Sequence, residues 1–63
     1  MNAELYQKYT QLKEATKIAL IKRLDDPKFI KKMWADAKSE GYESILQYVD
    51  SQSSWLAKRE IFA

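Results

Sequence analysis

Between Asp26 and Gly41 the stretch DPKFIKKMWADAKSEG sorts its apolar and cationic residues onto opposite sides of a helix. At about 100° per residue, Phe29, Ile30, Met33, Trp34 and Ala37 fall within one arc, and Lys28, Lys31, Lys32 and Lys38 occupy the other. A longer periodic segment precedes it. It starts at Asn2, a good N-cap with Glu4 in the first turn, and runs to about Leu24, with Leu5, Tyr9, Leu12, Thr16 and Ala19 on one stripe and Glu4–Lys8 as a supportive pair. After Ala15 the stripe widens to Ile18, Ala19, Leu20, Ile21 and Leu24, which predicts that the second half of this helix is the more deeply buried. Asp25-Asp26-Pro27 breaks the pattern, because Pro disfavours helical geometry in the residue before it and suits the first turn of a new helix. Gly41 is placed to end that second helix as its C′ residue. Beyond it, Ile45, Leu46, Val49 and Leu56 form a central stripe, flanked by Tyr42 and Ser53 on one side and by Tyr48, Gln52 and Trp55 on the other. No segment shows sustained strand alternation. The pattern predicts an all-α, three-helix domain spanning 1–63, with helices over about 2–24, 27–39 and 43–62, in a homeodomain-like or helical-hairpin-plus-one arrangement.

Composition narrows how such a domain can be stabilised. A chain of 63 residues buries only about 60% of the surface its unfolded form exposes. It has no cysteine for a disulfide and no histidine, which removes the Cys/His zinc sites. Dense packing of large side chains or self-association remains, and two Trp, four Tyr and two Phe can supply either; a homodimer is expected. The longest uninterrupted apolar stretch, Ile18 to Ile21, falls far short of the roughly 20 residues that span a bilayer. The amino terminus lacks a signal-peptide apolar region, so a cytoplasmic location is expected.

The net charge of +2 conceals an asymmetry. Lys8 to Lys38 carries nine Lys/Arg against four acids, whereas Ser39 to Ala63 carries two against four. A cationic region of this kind suits an anionic partner, or the meeting of oppositely charged faces of two copies. Catalysis has little to stand on: there is no His, Cys or phosphate-cradling glycine loop, and the one acidic doublet, Asp25-Asp26, sits where a helix cap explains it. A non-enzymatic protein without cofactor or metal is expected. The lysine face either solvates the domain or contacts phosphates, with Lys22 and Arg23 extending Lys28, Lys31, Lys32 and Lys38. Arginine occurs only at 23 and 59, and lysine suits bidentate base recognition less well, so binding through these residues would be weakly sequence-specific.

Gly41 also has the spacing of a helix-turn-helix, with Ala37 four positions earlier. Asp36, Glu40 and Gln47 stand where that motif wants apolar residues, and Glu43, Ser44, Gln47 and Asp50 offer no cations to a groove. On the last helix Tyr48, Gln52, Trp55 and Phe62 form an edge expected to belong to the core, to a dimer or to a partner interface.

Pro27 through Trp55, above all Ile45-Leu46-Gln47-Tyr48-Val49-Asp50-Ser51-Gln52, resembles the carboxy-terminal domain of the replication-organiser protein of podovirus-type Bacillus phages. The resemblance covers about half the chain. It implies a homodimer of three-helix, homeodomain-like subunits that binds DNA with little sequence preference, the last helix helping to build the dimer. Members of that family also carry an amino-terminal membrane anchor and a coiled coil, which this sequence lacks, so membrane tethering is not implied.

The leading expectation is therefore weakly specific nucleic-acid binding in a phage- or plasmid-like replication or regulatory role. The alternative is a helical interaction module or small inhibitor that docks through Tyr48, Trp55 and Phe62, or through its cations onto an acidic protein surface. A third reading, an amphipathic membrane-surface helix, is disfavoured because the apolar side of the second helix is needed by the fold.

Overall fold

The computed structural model describes residues 2–62 and contains three helices: α1 (Ala3–Arg23), α2 (Pro27–Ser39) and α3 (Ile45–Phe62). Their ends follow from local hydrogen bonding. Asn2 caps α1 by accepting the Glu4 N–H at 2.9 Å, and Asp26 caps α2 by accepting the Lys28 N–H at 3.0 Å, with Pro27 at the first helical position. At the far end of α2, Gly41 takes a φ of 84°, the left-handed region that glycine enters without a Cβ penalty. Its N–H donates to the Lys38 carbonyl at 3.1 Å and that of Tyr42 reaches back to the Ala37 carbonyl at 2.9 Å, the paired bonds of a Schellman stop. Ser44 then opens α3, its hydroxyl accepting the Gln47 N–H at 3.1 Å, while the Gln47 side chain accepts from the Glu43 N–H at 3.3 Å.

α1 and α3 run antiparallel: Tyr9 near the start of α1 meets Ser54 and Phe62, and Lys13 and Lys17 meet Asp50. α3 is the element both others pack on, α1 along much of its length and α2 more locally. The assembly is elongated, 38 × 22 × 17 Å, because the 21 residues of α1 alone rise about 31 Å.

The core joins α2 to α3. Met33 and Ala37 of α2 are buried with Tyr48 and Val49 of α3, and Leu20, Leu24, Phe29, Tyr42 and Ile45 close around them. Along α3 the fully buried positions are Val49, Ser53 and Ala57, one turn apart. These small side chains let α1 approach closely, and the Ser53 hydroxyl is satisfied by the Val49 carbonyl at 2.7 Å, so its burial leaves no polar atom unpaired.

Two packing expectations are corrected. The second half of α1 is not deeply buried: no residue of α1 is, and Ile18 and Ile21 are exposed. The helix turns Tyr9, Leu12, Lys13, Thr16, Lys17, Leu20 and Leu24 inward to half-burial and leaves Ala19 outside, since one neighbour can cover only one side of it. In α3 the centre of the buried stripe is Val49–Ser53–Ala57, while Leu46 and Leu56 are exposed, because close approach of a second helix favours small side chains over large ones.

Candidate nucleic-acid interface

The cationic side of α2 is a consequence of its burial. Met33 and Ala37 face α3 and Phe29 is half-buried, which turns Lys28, Lys31, Lys32 and Lys38 to solvent. Lys28 to Lys38 spans about 15 Å of helix at the standard rise per residue. Two of the cations that flank this face are held by aromatic rings. The Arg23 guanidinium lies 4.0 Å from the centre of the Phe29 ring, which ties the last turn of α1 to the first turn of α2. The Lys38 ammonium lies 4.8 Å from the Trp34 ring, at the other end of α2. Lys22 is exposed in the last turn of α1, a helical step of about 100° from Arg23.

Among the described residues the ion pairs are Lys13–Asp50 at 3.6 Å and Lys17–Asp50 at 3.5 Å. Among the same residues, none of Lys22, Arg23, Lys28, Lys31, Lys32 and Lys38 lies within ion-pair distance of a carboxylate. The structure thus places all six at the surface, gathers the four lysines on one helix face and adds Arg23 through Phe29.

The residues expected on the aromatic edge of α3 divide. Tyr48 is buried within the protomer, its ring 5.5 Å from that of Tyr42, and is not on an outer face. Burial raises its phenol to about 12, reinforced by the Glu40 and Asp36 carboxylates and opposed by a Gln52 hydrogen bond. Gln52 is half-buried and shares a shallow cleft with Glu40, Ser51 and Trp55. Phe62 is exposed, although its ring lies tilted against Tyr9 of α1 with centres 5.9 Å apart. Trp55 is the most exposed of the four, at 56%, with the Arg59 guanidinium 5.4 Å from its ring centre.

One surface was not anticipated from the sequence. Ile30 and Trp34, expected in the core arc of α2, lie at its edge and are exposed, and with Ile45 and Leu46 they line an open groove of about 470 Å³. Its signal was the position of Ile30 and Trp34 at the margin of the apolar arc, nearest Lys31 and Lys38.

Within the described residues, no group of three or more His, Cys, Asp or Glu side chains could hold a metal ion, and no helix is long and apolar enough to cross a membrane. In comparisons with protein families, curated proteins and solved structures, the chain matches none. Its geometry therefore carries the functional argument.

Proposed function

We propose that this protein is a non-catalytic nucleic-acid-binding domain that contacts the phosphate backbone through the lysine face of α2, with low sequence specificity and in a replication or regulatory role. The observation that carries the reading is the gathering of Lys28, Lys31, Lys32 and Lys38 on one exposed face of α2, none of them within ion-pair distance of a carboxylate among the described residues. Flexible cations on one rigid helix face can each neutralise a phosphate and release its counterions. A homeodomain-like insertion of α3 into a groove is not required. Glu43, just before α3, and Gln47, in its first turn, are exposed with no cation among them, and the Gln47 side-chain oxygen is already engaged by the Glu43 backbone N–H rather than free for a base edge. The resemblance to the phage replication-organiser domain points the same way.

The test is binding to a labelled random-sequence duplex and to a single strand at two salt concentrations, for wild type and for the Lys28→Glu/Lys31→Glu/Lys32→Glu triple variant. The expected result is affinity that falls with salt and drops on the order of a hundredfold in the triple variant. No binding by wild type at low salt would reject the reading.

A second reading is favoured by Trp55, a large aromatic residue over half exposed on the last helix. It is docking of a protein partner at that side chain, for which Trp55→Ala would abolish capture while salt had little effect.

A further inference from the structure

Trp34 stands where the apolar and the cationic sides of α2 meet. It is 37% exposed, with Ile30 one turn before it, and helix periodicity places it between core-facing Ala37 and the cations Lys31 and Lys38. With Ile30, Ile45 and the exposed Leu46 it walls the open groove of about 470 Å³ between α2 and the start of α3, and Lys31 lines the same groove. The two lysines bracket the indole, Lys31 one turn before it and Lys38 one turn after. The Lys38 ammonium lies 4.8 Å from the centre of the ring, yet Lys38 does not wall the groove. It meets the indole from outside and leaves the groove side open.

We infer that this groove receives an unpaired base of a single-stranded nucleic acid, stacked on Trp34, while the phosphates on either side of that base meet Lys31 and Lys38. The inference rests on the phosphate-contact reading of α2 and names the form of nucleic acid that this face selects. Its chemistry chooses the occupant. An exposed indole offers a π-face that any base can cover, and such stacking needs no readout of base edges, in keeping with a face made of lysine rather than arginine. Charge complementarity then sets the course of the strand. Lys31 and Lys38 lie on the α2 side and the Glu43 carboxylate is at the opposite rim, so the backbone follows α2 and the base points across into the groove. Aliphatic side chains beside an indole suit a flat heterocycle and offer nothing to a phosphate. A duplex cannot use the site in this way. Each of its bases is covered by neighbours in the stack, and turning one out means breaking both its pair and its stacking. Duplex is therefore held by the lysines alone, and a single strand by the lysines and Trp34.

The experiment follows the fluorescence of Trp34 in the full chain carrying Trp55→Phe, which leaves Trp34 as its sole tryptophan, with helicity by circular dichroism as a folding control. The probes, added at low salt, are an oligo-dT strand, an abasic strand of the same length and a random-sequence duplex. Oligo-dT is expected to quench the emission and to bind about tenfold more tightly than the abasic strand. The duplex is expected to bind without comparable quenching. In anisotropy titrations of the same labelled probes, Trp34→Leu, which keeps apolar cover but has no π-face, is expected to lose the tenfold and leave the abasic and duplex affinities unchanged. Trp34→Phe is expected to retain most of it. Equal, salt-dependent affinity for oligo-dT and the abasic strand, without quenching, overturns the inference but keeps the phosphate contact. An oligo-dT advantage that survives Trp34→Leu also overturns it, assigning the stacking to another ring such as Trp55. If no probe binds at low salt, the phosphate reading itself fails and this inference with it.

Discussion

Helices α1 and α2 both carry lysines and both pack on α3, yet they use those lysines in opposite ways. α1 puts Lys13 and Lys17 on its inner side, where their stems are partly covered and their ammonium groups converge on Asp50. α2 turns Met33 and Ala37 inward and leaves Lys28, Lys31, Lys32 and Lys38 to solvent. With 21 residues α1 buries none completely, whereas α2 buries two with 13. The longer helix is thus held by half-buried contacts and polar bridges such as Tyr9–Ser54 at 2.7 Å, the shorter one by its apolar face. A lysine becomes a candidate for an external anion only where the fold has not already used it.

The largest effect that would sharpen this contrast is on stability. Met33→Ala should cost about 3 kcal/mol in urea denaturation, and Leu12→Ala on α1 distinctly less, because Leu12 is only half-buried. Equal costs would remove the distinction between the two helices. Next comes the lysine comparison: charge reversal at 28, 31 and 32 should lower the salt dependence of nucleic-acid affinity by about three phosphate equivalents. Lys13→Gln/Lys17→Gln should leave it nearly unchanged.

Gly41→Ala should destabilise by about 1–2 kcal/mol, measured by thermal unfolding. An added Cβ would meet nothing within 4 Å, so that cost is conformational, from the φ of 84°. Asp50→Asn should cost less than ~1 kcal/mol, since the carboxylate is 49% exposed, and by freeing Lys13 and Lys17 it should slightly raise affinity for polyanions.

The last effect concerns pH and emerges only in strongly alkaline solution. The Tyr48 phenol holds its proton more tightly in the folded state than in the unfolded one, up to about 12 against 10.0. The associated stability is fully present below pH 10.0 and is lost as pH rises towards 12. Tyr48→Phe should flatten that part of the alkaline denaturation profile, and an unchanged profile would contradict the assigned environment.

The elements were legible in the sequence because their punctuation is local. Asp26-Pro27 and Gly41 act through neighbouring backbone groups, and the helix limits follow from them. The cationic face of α2 was legible for a similar reason: its charge and its apolar arc are set by helix periodicity alone. The packing faces of α1 and α3 were less legible. Ser53 and Ala57 carry little apolar surface, so a search for hydrophobic stripes passes over them, although their spacing with Val49 marks a line of small residues. Likewise Lys13 and Lys17 read as solvated until Asp50, distant in sequence, is placed opposite them.

What the sequence determined by itself is the three-helix, all-α character, the two breaks between helices, and the presence of lysines on the face of α2 opposite its apolar arc. These depend on interactions within a few residues. The tertiary structure alone decided which side of α1 meets α3, that Tyr48 is interior while Trp55 is not, and that Ile30, Trp34 and Leu46 are left exposed around a groove. Those outcomes depend on how closely two helices approach, which is fixed by the shapes of side chains far apart in the chain.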